Sequence, residues 1–474
     1  MSQKRIHLIG ICGTAMASLA GMLKQRGHYV TGSDAAAYPP MSDFLASLNI
    51  PVAQPFSEAS LDPRPDLVIV GNAISRGNVE LEYVLDRRIP YESMARIVYD
   101  EFLVTRHRLV VAGTHGKTTT SSLLAWLFTQ GLRSPSFLIG GIPENFGRSF
   151  GLSDGPDFII EGDEYDTAFF DKGPKFLHYF PDAMILTSVE FDHADIYKDL
   201  DEVKTAFKRL VNLIPRRGFL LAWDGNPNVD ECVSRAFCPV ERYGMGENSH
   251  WRISDVEYSR GGTRWKLWRH GTLWAEVESQ LAGEYNALNA TAAAAIAARY
   301  EIPVDTIANG LATFRGVKRR LEVKAEVGGV TIVDDFAHHP TAIAGTLRAL
   351  RTRYVGRRLW AVLEPRSNTL RRKVFEAELA ESLAQADQVV LANVFKSDAI
   401  PEAERLDTQL VMAKLRDAGR FARLLASADD IVTAITPELR QGDVVAILSN
   451  GGFGGIYEKL PAALRVRTEV STPA

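Results

Sequence analysis

Eight consecutive residues, Gly113, Thr114, His115, Gly116, Lys117, Thr118, Thr119 and Thr120, carry the densest chemistry in the chain. Glycines let a backbone wrap an anion, a lysine supplies counter-charge, and a threonine hydroxyl offers a ligand to Mg²⁺. Such a loop is expected to hold the phosphates of ATP. The general GxxxxGK[ST] spacing is not met, because Val111 stands where its first glycine would be. Two further runs add metal-ligating and acid-base groups: EGDEYD at 161–166 and VEFDHAD at 189–195. From these, Glu164 and His193 are expected to share a metal ion with Thr118. Near the start, Gly10, Cys12, Gly13 and Thr14 form a glycine turn, with Ser33 and Asp34 some twenty residues on. That is a weaker signature of a nucleotide pyrophosphate on a helix N-terminus with an acid near the ribose. Cys12 reads as a small residue permitting close approach, since it has no base to activate it.

These groups act together only if the fold brings them to one place. From residue 6 to about 105, short apolar runs alternate with amphipathic stretches, and Met16, Leu19, Ala20 and Leu23 follow helical spacing. That alternation predicts a mostly parallel α/β sheet. It restarts at Arg108 with a strand, the glycine loop and a helix in which Leu123 and Leu127 share a face. Buried strands are expected at 157–160 and 184–189. The carboxyl ends of such parallel strands converge on one crevice, so both acidic runs can face the phosphate loop. Between 239 and 274, tryptophan-rich segments with GG and HG turns predict β-hairpins flanking this sheet. An alanine-rich helix over 286–299 begins with Asn286 and Asn289, whose amides could either cap it or read an adenine edge. A third α/β unit ends its strands in three polar loops. DDFAHHP at 334–340 contains Asp334, Asp335, His338 and His339; EPRSNT at 364–369 contains Glu364, Arg366 and Asn368; SNGGFGG spans 449–455. Arg366 suits bidentate pairing with a peptide carboxylate, and Asn368 is a second candidate peptide contact. The expected division is 1–105, 106–316 and 317–474.

Composition narrows the class. A chain of 474 residues exceeds one hydrophobic core. No apolar run reaches the ~20 residues of a membrane span, and the three cysteines form no disulfide or zinc framework. A cytoplasmic enzyme is expected, with no membrane partner. The net charge of −4 gives no bulk attraction to nucleic acid, so anionic ligands need specific sites. Without GxGxxG, and with GKTTT present, a nicotinamide-dependent oxidoreductase is disfavoured.

The ordered series GICGT, GSD, GTHGKTTT, EGDEYD, EFDHAD, GEYNALN, RRLE, DDFAHHP and SNGGFGG resembles the Mur ligases, which join amino acids or peptides to UDP-N-acetylmuramate using ATP. The resemblance implies three domains: a Rossmann-like N-terminal domain for the UDP sugar, a central P-loop ATPase-like domain with a mostly parallel sheet and a β flank, and a Rossmann-like C-terminal domain. It implies Lys117 and Thr118 on phosphates and Mg²⁺, Glu164 and His193 on metal, Asn286 and Asn289 on adenine, and Arg320 and Asp335 serving ATP. It adds His338 to the catalytic set, and Asn72, in GNAISRGN, to the UDP-sugar site. Tyr285 stands where the family usually has histidine, and neither Lys204 nor Lys208 is assigned as a carbamylated lysine. GICGT, YPPMS at 38–42, GNAISRGN, EPRSNT and SNGGFGGI are most similar to the branch accepting the murein tripeptide L-alanyl-γ-D-glutamyl-meso-diaminopimelate; the alternative amine is L-alanine. The sequence leaves the oligomeric state open.

Overall fold

A computed structural model describes residues 3–37 and 41–470; Tyr38, Pro39 and Pro40 of the YPPMS segment lie outside the described residues. Three large sheets succeed one another along the chain, with a two-stranded hairpin of Asp166–Ala168 and Asp171–Pro174 besides. The first has five parallel strands, with Arg5–Ile9 between Tyr29–Ser33 and Leu67–Val70. The strand order reverses beside Arg5–Ile9, which opens a crevice at the carboxyl ends of the two central strands. The helix Thr14–Gln25 buries Met16, Leu19, Ala20 and Leu23, as their spacing predicts.

The second sheet has ten strands. His107–Ala112 lies at its middle, parallel to Asp157–Gly162 on one side and Ala183–Leu186 on the other. This placement brings the phosphate loop and both acidic runs to one edge, since each follows one of three adjacent strands. The tryptophan-rich region is more than a flank. Val240–Gly244 and Trp251–Ser259 continue the parallel sheet before it turns antiparallel at Gly262–Arg269 and Thr272–Ser279. The helix Lys117–Gln130 packs against Glu284–Arg299, whose alanines allow close approach and are buried through Ala297.

The third sheet has six strands. Val330–Asp335, Val444–Leu448 and Leu359–Leu363 are adjacent and parallel, so the DDFAHHP, SNGGFGG and EPRSNT loops emerge side by side. Glu322–Val327 is an antiparallel edge. The joint before it still touches the central unit: Val317 bridges to Pro143, and the Lys318 N–H donates to the Ile142 carbonyl at 3.0 Å.

The two interfaces between neighbouring units differ in character. One apolar cluster runs from Ile6 and Leu8 through Met94, Val98 and Leu103 to Val110, Phe150 and Phe158 on one face of the central sheet. The third unit meets the second mainly through hydrogen bonds, with apolar contact at the joint among Ala282, Tyr285 and Ala349.

Candidate active site

The phosphate loop is held by shape and by hydrogen bonds. Gly113 has φ +133°, and a Cβ there would lie 2.1 Å from Thr187 Oγ1; at Gly116, φ +80°, one would lie 2.5 Å from Asn289 Oδ1. Both positions therefore require glycine. The Thr114 N–H donates to the Ser188 carbonyl at 2.9 Å and the His115 N–H to Ser188 Oγ at 3.0 Å. The amides from Gly116 onward lie in the first turn of the helix Lys117–Gln130 and have no intrahelical acceptors, the arrangement that suits an anion.

Lys117 folds back over this loop. Its Nζ donates to the Gly113 carbonyl at 2.6 Å, the Thr114 carbonyl at 3.2 Å, and both oxygens of Glu164 at 3.0 and 2.8 Å. Burial opposes the ammonium charge, but Glu164 and Asp163 outweigh it and raise its pKa. Burial likewise opposes the Glu164 charge, and Lys117 and His193 hold its pKa below the usual range. His193 Nε2 lies 3.4 Å from Glu164 Oε1. Against burial, Glu164 and Asp192 push the imidazole up to about 9. The His193 backbone occupies the left-handed region at φ +56°, rare outside glycine, which fixes the direction of its ring. Donor atoms of Asp163, Glu164 and His193 lie within 4.8 Å of one another. Two carboxylates and an imidazole so spaced fit a divalent cation.

Thr118 departs from the expected metal set. Its hydroxyl donates to Glu161 Oε1 at 3.0 Å, and Glu161 also accepts the Gly140 N–H at 2.8 Å. Burial raises the pKa of Glu161 despite the Lys117 charge. Thr118 and Glu161 therefore form one hydroxyl–carboxylate pair, separate from the Glu164–His193 pair. The sequence reading passed over Glu161. Its signal is its position at the carboxyl end of Asp157–Gly162, opposite Val111 of the loop's own strand.

The asparagines are not helix caps. Gly283 occupies the cap position of Glu284–Arg299 with no side-chain cap bond. Asn286 donates to the Ala282 carbonyl at 2.8 Å, while Asn289 lies over Gly116. Asn286 and Arg320 line a small cavity of about 140 Å³. The Arg320 guanidinium lies 5.1 Å from the Phe336 ring centroid. Asp335 does not face this cavity as a free acid. Its carboxylate accepts N–H donors of Leu321 at 2.7 Å and Ala337 at 2.9 Å and the Thr346 hydroxyl at 3.1 Å, all local, so it braces the joint. Tyr285 packs toward Gly345 of the third unit.

At the N-terminal crevice, the Gly10 and Ile11 N–H groups donate to the Ser33 carbonyl at 2.8 and 3.0 Å, and Asp34 accepts the Cys12 N–H at 2.8 Å. Asp34 thus shapes the turn. Gly13 and Thr14 open a helix with no side-chain cap, and Asn72 is exposed beyond the neighbouring strand. The Ser33 hydroxyl corrects the expectation: it is fully buried and donates to Glu80, in a network with His7, so it points away from the crevice.

The loop 190–195 carries most of the polar contact with the third unit. Glu190 accepts the Thr341 hydroxyl at 2.6 Å and stands 3.3 Å from His115 Nε2 and 3.7 Å from His339 Nδ1. Against burial, His115 and Thr341 hold the Glu190 carboxyl down at about 2. Asp192 accepts the Thr369 hydroxyl at 2.7 Å, and Thr369 Oγ1 in turn accepts the Ala194 N–H at 3.2 Å. Asn368, expected to contact peptide, donates to Asp195 at 2.7 Å and so serves this interface while also lining the cleft described next.

Beside these contacts opens a cleft of about 420 Å³ lined by His193, His338, Arg366, Arg371, Phe395 and Lys396 among others. Arg366 lies 3.6 Å from Glu364 and stacks at 3.8 Å over the Phe395 ring. A Cβ on Gly451 would strike this guanidinium, so the SNGGFGG loop makes room for it. His338 Nδ1 bonds the Phe336 carbonyl at 2.8 Å, which places the proton there and leaves Nε2 with a lone pair. Burial lowers the His338 pKa, favouring the neutral ring.

Comparison with known proteins covers nearly the whole chain. Residues 5–100 match the Mur ligase family, catalytic domain; 111–297 the Mur ligase middle domain; and 319–451 the Mur ligase, glutamate ligase domain. The chain is 42% identical to the UDP-N-acetylmuramate--L-alanyl-gamma-D-glutamyl-meso-2,6-diaminoheptandioate ligase of Escherichia coli (strain K12), covering 98% of this chain and 100% of that protein. It is 40% identical to the Haemophilus influenzae ligase of the same name, at the same coverage. A crystal structure of a murein peptide ligase from Psychrobacter arcticus superposes with a TM-score of 0.75 at 35% identity, over 99% of this chain and 100% of that one. With all three domain types matched in order on a shared three-domain α/β fold, the chain belongs to the Mur ligase family.

Proposed function

We propose that this enzyme joins the lactyl carboxylate of UDP-N-acetylmuramate to the amine of L-alanyl-γ-D-glutamyl-meso-diaminopimelate, consuming ATP through an acyl phosphate. The observation that carries this reading is the cleft beside His193. It opens from the Asp163–Glu164–His193 cluster next to the phosphate loop into a basic surface of the third domain. The names of the similar ligases supply the substrates, and we place the reaction in the cytoplasm. Among the described residues, no helix is long and apolar enough to cross a membrane.

In this reading the UDP sugar occupies the Gly10–Asn72 crevice, with Gly13 and Thr14 presenting helix amides to its diphosphate. ATP lies on Gly116–Thr119, with Asn286, Asn289 and Arg320 near its base. Bringing a carboxylate to a triphosphate opposes like charges, costing ~1 kcal/mol per unit pair at 4 Å in water and ~4 at an effective dielectric of 20. Lys117 offsets that cost. Asp163, Glu164 and His193 would hold Mg²⁺, with Thr118 and Glu161 as a further donor pair. Mg²⁺, when bound, neutralises charge on the transferring phosphoryl group.

The second half-reaction needs a neutral amine. An incoming ammonium in the cleft meets the His338 Nε2 lone pair, which can accept its proton before attack on the acyl carbon. Neither half-reaction requires a protein nucleophile. Positioning by the three domains and the surrounding charges supplies the catalysis.

ADP release measured with UDP-N-acetylmuramate and a panel of amines tests the proposal: L-alanine, dipeptide, tripeptides ending in diaminopimelate or lysine, and tetrapeptide. The diaminopimelate tripeptide should exceed L-alanine by about 10²-fold in kcat/KM, the effect of two charge-assisted bonds of ~1.5 kcal/mol each made only by the longer amine. Equal use of L-alanine overturns the peptide reading and leaves ATP-dependent ligation standing.

A further inference from the structure

Besides His193, the cations Arg366, Arg371 and Lys396 border the 420 Å³ cleft. Of these, among the described residues, Arg366 alone has a carboxylate within ion-pair distance, Glu364 at 3.6 Å, while Asp195 reaches Arg371 through Asn368. Arg371 donates to Asn368 Oδ1 at 2.6 Å and to the Phe395 carbonyl at 3.3 Å, while its Nε is buried with no partner. Its neighbour in sequence, Arg372, is paired with Glu404. Lys396 occupies a left-handed backbone position at φ +47° beside the cleft, its Nζ 5.5 Å from the Phe395 ring centroid. Neither Arg371 nor Lys396 has a carboxylate within ion-pair distance among the described residues. Clustered like charges with unsatisfied donors destabilise a fold unless a ligand compensates them. They mark a surface built for an anion with more than one negative group.

The cleft has a direction. His193 and His338 mark its reacting end, next to the phosphate loop, while Phe395 and Lys396 belong to the loop after Gln388–Ala392, in the next strand of the third sheet outward from Leu359–Leu363. An acceptor whose amine reaches His338 therefore extends its remote end toward Arg371 and Lys396.

We propose that Arg371 and Lys396 are the specificity-determining residues of the acceptor site, taking carboxylates at the end of the peptide remote from its reacting amine. The inference rests on the tripeptide reading above and goes beyond it by naming which groups read the distal diacid. Arg371 offers a planar fork suited to bidentate pairing, and Lys396 a mobile point charge. A tripeptide ending in lysine replaces the distal carboxylate and ammonium of diaminopimelate with a lone ammonium, and is repelled at the same place.

The test uses the full-length enzyme, with kcat and KM measured for the diaminopimelate tripeptide, the lysine tripeptide, ATP and UDP-N-acetylmuramate. Lys396→Met removes a charge without altering any hydrogen bond described here. Arg371→Lys retains charge while losing the fork, and Arg371→Ala loses both. Each charge-removing variant should raise KM for the diaminopimelate tripeptide about tenfold, as expected when one charge-assisted bond is lost, while KM for ATP and UDP sugar stays within about twofold. The preference for diaminopimelate over lysine should shrink by a similar factor, and the rise of tripeptide KM with NaCl should flatten. Arg371→Lys should fall between wild type and Arg371→Ala. Unchanged selectivity and salt dependence in both Lys396→Met and Arg371→Lys overturn the inference, even if Arg371→Ala is unstable. A wild-type enzyme that accepts L-alanine as well as tripeptide overturns the underlying substrate reading instead.

Discussion

Lys117 is paired with Glu164, a carboxylate that is 2% exposed. In the proposed reaction phosphates would compete with Glu164 for this ammonium, which would couple nucleotide binding to the metal-capable cluster. Lys117→Ala should nearly abolish ADP release while leaving UDP-sugar binding, measured calorimetrically, unchanged. Removing one partner of a buried pair costs about 3–5 kcal/mol. Because His193 remains beside Glu164, thermal unfolding should show a loss near the low end of that range. Cys12 gives a second prediction. Burial first, then Asp34, pushes its thiol up to about 11 from an ordinary value of 9.0. A raised thiol pKa means less thiolate at every pH below it, so alkylation by iodoacetamide at pH 8 should run about 10²-fold slower in the folded enzyme than in urea, rising with pH. Mass spectrometry of the labelled peptide reads both rates; equal rates would remove Asp34 and burial as controls on this turn. The phosphate loop was legible in the sequence because its chemistry is contiguous. Which carboxylate of EGDEYD faces Thr118 was not, since that depends on where the strand ends and which face Glu161 takes. Ser33, Asp335 and Asn368 have side-chain types that suit ligands, yet nearby Glu80, backbone amides and Asp195 engage them first.

The central site is assembled by elements that are distant in sequence and adjacent in the sheet. Helical periodicity and the strand–loop–helix alternation were readable because each is a local pattern. The parallel continuation of the sheet through Val240–Gly244 was not, because a strand's partner is chosen by tertiary packing. The loop 190–195 likewise reads as acidic, but its role at the interface depends on Thr341, Asn368 and Thr369, over a hundred residues away. Thr369→Val tests it. The substitution removes an acceptor for Ala194 and a donor to Asp192, which is 7% exposed, and should destabilise the interdomain contact by about 1–3 kcal/mol. Small-angle scattering should then show a larger radius of gyration, and KM for the peptide should rise more than KM for the UDP sugar. An unchanged radius and unchanged peptide KM would show that Thr369 does not hold the domains together.

At the scale of the molecule, an apolar seam joins the first two domains and a mainly hydrogen-bonded contact joins the third. The seam spans two sheets and resists separation, whereas polar contacts exchange readily with water. The first two domains are therefore expected to hold together as one body, with any closure expected of the third about the joint at 317–321, where Asp335 accepts the Leu321 N–H. That asymmetry sets an order of arrival. Nucleotide and sugar are expected to bind the first two domains in either sequence, whereas the peptide's berth is lined by the second and third domains together and depends on their apposition. The peptide should therefore be the last to board, and a non-reactive peptide analogue should inhibit uncompetitively against ATP. Noncompetitive inhibition would mean that the berth stands ready in the empty enzyme.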